Sequence, residues 1–121
     1  MYQKASKILN QHADSLSSKV SNWVSLNYPN RTTEHHKCYR DVNYIINSLS
    51  YCLNEGSMFP IIHISTMFYT NSKLQLSSTD VEFLAYDYLL SEIELLFTEV
   101  EDGAVNFCKS AIEILKKNLQ V

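Results

Sequence analysis

The reading of the chain turns on Lys37-Cys38-Tyr39-Arg40-Asp41-Val42-Asn43-Tyr44 and its continuation to Tyr51-Cys52-Leu53-Asn54-Glu55-Gly56. Apolar side chains recur at Cys38, Val42, Ile45, Ile46, Leu49, Cys52 and Leu53. Steps of three and four lay them along one stripe of a helix. Thr32 or Thr33 can cap its start, and Glu34 suits the positive end of the helix dipole. Gly56 can adopt the left-handed backbone that closes a helix. Helical geometry sets Cys38, Asp41, Val42 and Ile45 on one face, with Lys37, Arg40 and Tyr44 on an adjacent strip.

Outward from this helix the pattern stays helical. Ala5, Ile8, Leu9, Ala13, Leu16, Val20, Trp23 and Val24 predict one amphipathic helix from Tyr2 to about Ser25. Asn27-Tyr28-Pro29-Asn30 reads as a turn, because proline blocks helix continuation. The dense apolar segment from Met58 to about Tyr69 is open to strand or helix. A buried helix starting around Pro60 is preferred, since proline suits a first helical turn. Asn71-Ser72-Lys73 reads as a loop. Thr79 and Glu82 have capping-box spacing, and the helix that follows, to about Val100, is apolar on several sides. It is expected to be the central helix. Glu101-Asp102-Gly103 breaks it, and a last amphipathic helix runs from Ala104 to about Leu119, with Lys116 and Lys117 at its negative end. The expectation is one all-α domain over 1–121, built from about five helices.

Composition narrows the function classes. Two glycines and two prolines in 121 residues leave little turn chemistry for an all-β fold. A net charge of −3 argues against nonspecific nucleic-acid binding. No apolar run approaches the ~20 residues of a membrane span. Three widely spaced cysteines with no apolar leader suggest a soluble protein of a reducing, cytoplasmic compartment.

The chemistry-bearing residues concentrate at the opening stretch. Lys37 and Arg40 beside Cys38 would favour its thiolate. Asp41, one turn on, could accept N–H groups of a ligand, and the cations could hold carboxylates. These parts suit covalent capture of an acidic, nitrogen-bearing ligand. The plainer alternative is an amphipathic helix with a small buried cysteine and a solvated charged strip. A metal site is not expected, since His35 and His36 project ~100° apart and no zinc spacing is present. Catalysis is not expected either: His35 lies one turn before Cys38, but a helix interior offers no free N–H for an oxyanion hole.

Cys38-x-Arg40-Asp41, then Tyr44, then Tyr51-Cys52-Leu53 and Gly56, resembles the central helix of phycobiliproteins, the bilin-carrying antenna proteins. Lys37 matches the lysine that often precedes the family cysteine. Leu76-Ser77 before Val81-Glu82, and Phe107 and Ala111 in the last helix, extend the likeness weakly. The Asn, Lys, Ile, Ser and Tyr richness is similar to that of a reduced, degenerate phycoerythrin β-type subunit of marine picocyanobacteria. The resemblance implies a globin-like helical bundle that lacks the family's N-terminal helical hairpin. It implies a covalently bound bilin, phycoerythrobilin in the first instance, in a thioether to Cys38. Asp41 would accept the N–H groups of the two central pyrrole rings. Arg40 and Lys37 would pair with the propionates, and Tyr44 and Tyr51 would pack around the pigment. A bilin lyase and other phycobiliprotein subunits are the implied partners, in the cytoplasm or peripherally at the thylakoid membrane. The chain departs from the family at Asn47, where arginine is common, and in Ser57-Met58-Phe59-Pro60 after the glycine.

A second resemblance leads to another class. Cys38-x-Arg40-Asp41-Val42-x-Tyr44-Ile45-Ile46 is also similar to segments of marine phage virion structural proteins, which carry no pigment. There the segment sits in much longer chains and is usually followed by Gly-Gly-Asn, a feature absent here.

Overall fold

The computed structural model describes residues 1–29, 35–74 and 79–119. The described residues form six helices and no strand: α1 (Gln3–Gln11), α2 (Ala13–Asn27), α3 (His35–Glu55), α4 (Phe59–Leu74), α5 (Thr79–Leu96) and α6 (Ala104–Leu119). The chain is an all-α bundle. The caps expected at Thr32 or Thr33, with Glu34, and the Leu76-Ser77 segment lie outside the described residues.

The bundle centres on α3, which packs against α1, α2, α4 and α6. Val42, Ile45, Ile46, Leu49, Cys52 and Leu53 are all buried there, as their spacing requires. The broad helix α5, expected to be central, instead packs mainly on α2 and α6. It leaves Leu84 and Leu95 exposed. Its apolar residues encircle the helix, whereas those of α3 form the dense stripe along which neighbours can bury the most surface. Ile61 and Ile64 of α4, Leu89 and Ile93 of α5, and Cys108, Ala111 and Ile112 of α6 complete one core.

The predicted first helix is two helices. His12 leaves helical geometry at φ −107°, ψ 10°, yet its N–H still reaches Ile8 O and Leu9 O, both at 3.2 Å, and its carbonyl accepts Leu16 N–H at 2.8 Å. The axis bends while the hydrogen-bond ladder continues. The cause is the antiparallel match to α3. Ser6 meets Ser50, and Ser17 meets Asn43. Eleven residues of straight helix rise ~17 Å, against ~10 Å for the seven facing them, and a bend at His12 takes up the difference.

Two further boundaries differ from expectation. Asn71, Ser72 and Lys73 are helical within α4, because polar residues without glycine or proline do not break a helix. Helix α5 stops at Leu96 rather than near Val100. Glu99, Glu101 and Asp102 would crowd its negative end. Glu101 instead turns back and accepts the N–H of Lys4 at 2.8 Å and of Ala5 at 3.1 Å. That carboxylate caps α1, which has no side-chain cap of its own. Tyr2 locks the same end by donating its N–H to Leu53 O at 2.8 Å and packing on Phe107 at 5.0 Å.

Gly56 ends α3 as its place in the sequence predicts. Its φ is +69°, and the N–H groups of Gly56 and Ser57 both close on Cys52 O, at 2.7 and 3.2 Å. Among the described residues no helix is long and apolar enough to cross a membrane.

Candidate functional site

Helix α3 carries the chemistry at its N-terminal half. Cys38 is half-buried, with its thiol side against the core cluster. Asp41 lies one turn further along, its side chain 30% exposed. Arg40 points outward at 61% exposure, with Nε 3.8 Å from Asp41 Oδ1, a long and weak pairing. Burial pushes the Asp41 carboxyl above its ordinary range, while Lys37 and then Arg40 pull it back. Asp41 is thus a partly shielded carboxylate that Arg40 and Lys37 offset only in part.

Helix α5 contributes Tyr86 to the same corner. Its ring is buried, and its hydroxyl is held well above the ordinary phenol range by burial first, then by Glu82, Asp41 and Cys38. The buried phenol of α5 thus lies within electrostatic range of the thiol and carboxylate of α3. In the sequence Tyr86 is one of several tyrosines on an apolar helix, and no local signal singles it out.

The remaining predicted residues distribute along α3. Lys37 is half-buried, and Tyr44 is 48% exposed. Tyr51 is 64% exposed and lies thirteen residues beyond Cys38, ~20 Å along the axis. It opens onto a separate groove between α1 and α3 and is not brought to the thiol. Asn47 donates to Asn43, which in turn donates to Asp14 Oδ1 and Ser17 Oγ, both at 3.2 Å. Tyr39 donates to the same Asp14 oxygen at 3.1 Å. These polar residues tie α3 to α2. The side chains of His35 and His36 lie outside the described residues.

The other two thiols are of a different kind. Cys52 and Cys108 are fully buried. Burial pushes Cys52 up, and it pushes Cys108 up to about 12, with Cys52 adding to the effect. Both are core residues with little thiolate character.

No protein-family model, curated protein or solved structure matches the chain.

Proposed function

We propose that the chain is a bilin-binding, phycobiliprotein-like subunit, not an enzyme, that carries an open-chain tetrapyrrole on Cys38. The observation that carries the reading is the Cys38–Asp41 pair: a half-buried thiol one helical turn from a shielded carboxylate, with Lys37 and Arg40 beside them. The donor set fits the group. When bound, the bilin would supply the visible absorption used to harvest or sense light.

Each residue then has a defined task. Cys38 adds its S–H across the exocyclic double bond of the pigment. One S–C bond forms, the π bond is lost, the thiol proton passes to the pigment, and no oxidant or reductant is consumed. Asp41 accepts pyrrole N–H groups, which return the hydrogen bonds that burial took from its carboxylate. Arg40 is exposed enough to swing from Asp41 to a propionate, and Lys37 supports it. Tyr44 covers the solvent side, and the buried Tyr86 forms a rigid floor. A bilin lyase and further phycobiliprotein subunits are the expected partners, at or near a thylakoid surface.

The test is production with phycoerythrobilin and a bilin lyase, followed by zinc-enhanced fluorescence on a denaturing gel. The wild-type chain is expected to carry covalent pigment and Cys38→Ala none. Pigment retained in Cys38→Ala, or unpigmented protein from the native host, would overturn the reading.

A further inference from the structure

The groove between α1 and α3 stands apart from the thiol corner. Asn47 lies nine residues beyond Cys38, about 180° around the helix, so the groove opens on the opposite side of α3. It encloses about 860 Å³, within the ~300–1,000 Å³ of sites that hold small ligands. Its floor is closed and satisfied. Ser6 Oγ and Ser50 Oγ lie 2.8 Å apart, Ser6 donates to Ser50 O at 2.9 Å, and Ser50 donates to Ser6 O at 3.2 Å. The small serines let the helices approach, and the longer residues stand up as two walls.

The walls have an unusual chemistry. Helix α1 supplies Gln3, Lys7, Asn10 and Gln11, and α3 supplies Asn47, Tyr51 and Asn54. The side-chain amides of Gln3, Asn10, Gln11 and Asn54 have no protein hydrogen-bond partner among the described residues. Each primary amide offers donors and an acceptor together. Among the described residues, Lys7 is the single charged side chain of the lining, and no carboxylate is present in it.

We infer that this groove is a binding site for a neutral oligosaccharide. Sugar hydroxyls also donate and accept, so they match amides without the desolvation cost of a charge. The exposed Tyr51 ring offers a flat apolar face for the C–H side of a sugar ring, and its hydroxyl stays available at the rim. Phosphate or sulfate esters would call for several cations, and among the described residues of the lining Lys7 is the one charged side chain, while the nearby Met1 ammonium already donates to Asn54 O at 2.6 Å. A polypeptide would call for apolar pockets to seat anchor side chains, and among the described residues Tyr51 is the only aromatic one in the walls.

The full chain, detected through a C-terminal epitope tag that leaves Lys7 unmodified, is applied to an array of neutral, sulfated and phosphorylated oligosaccharides. Saturable binding to neutral oligosaccharides is expected. The best binder is then titrated in solution with the wild type and three variants. Tyr51→Ala and Asn54→Ala should each weaken it at least tenfold with unchanged helical circular dichroism, and Cys38→Ala should bind like the wild type. No array binding above that of Tyr51→Ala overturns the inference, as does binding confined to charged glycans. So does a photocrosslinker at position 51 that captures a polypeptide from host extract and no glycan. Cys38→Ala removes the pigment and leaves the groove intact, so the two proposals fail separately.

Discussion

Asp41 is where the physics of a single residue says most. Burial raises its carboxyl, and a carboxyl raised on folding stabilises the fold only while protonated. That contribution is complete below the ordinary value of 3.8 and disappears as pH rises through the folded value. At neutral pH the ionised group is therefore a burden on the apo fold, a cost that binding sites commonly carry. Asp41→Asn is expected to melt no lower than the wild type at pH 7, and the difference should shrink toward pH 3. In the pigmented protein the same substitution should blue-shift and weaken the visible band. Thermal melts across pH, paired with absorption spectra, check both. A clear loss of apo stability at pH 7 would make Asp41 a structural residue.

At the scale of elements, α1 depends on partners it does not contain. Its first N–H groups are capped by Glu101, which lies in the α5–α6 connection. Those hydrogen bonds hold the Glu101 carboxyl below its ordinary 4.5. A carboxyl lowered on folding stabilises above its unfolded value, and the benefit is lost as pH falls through the folded one. Glu101→Ala should speed hydrogen exchange at Lys4 and Ala5 at neutral pH and lower the melting temperature. The gap to the wild type should close at acid pH. The α2–α5 contact has a different character: Trp23 stacks on Tyr88 at 5.1 Å and 11°, with Tyr28 edge-on at 6.0 Å. Beside the stack, Lys19 of α2 pairs with Glu92 of α5 at 3.4 Å, so the contact joins a ring stack to an ion pair.

For the molecule as a whole, the position of α3 at the centre decides where substitutions hurt. Ile46 is fully buried among the helices around α3, so Ile46→Ala should cost about 2–5 kcal/mol. Leu95 on α5 is 72% exposed, so Leu95→Ala should stay within about 0.5 kcal/mol. Denaturant titration of both variants checks the contrast, and equal losses would contradict this pattern of burial.

Local chemistry wrote much of this protein directly. The stripe from Cys38 to Leu53, the glycine at position 56, the all-α class, and α6 from Ala104 to Leu119 follow from periodicity and backbone preference, which act within a few residues. So does the nearness of Cys38, Asp41, Arg40 and Lys37, since one helical turn fixes it. The bend at His12, the early end of α5, the turn of Glu101 onto α1, and the exchange of α5 for α3 at the centre all answer to distant partners. Periodicity is blind to them: the bend relieves a mismatch against α3, and Glu101 reaches N–H groups nearly the whole chain away. The burial of Tyr86 within electrostatic range of the thiol, and the placing of Tyr51 in a groove away from it, were decided by how helices pack. Which residues share a helix is set by the sequence through local geometry. Which helices share a site is set by the burial of whole surfaces, and that is settled only in the folded chain.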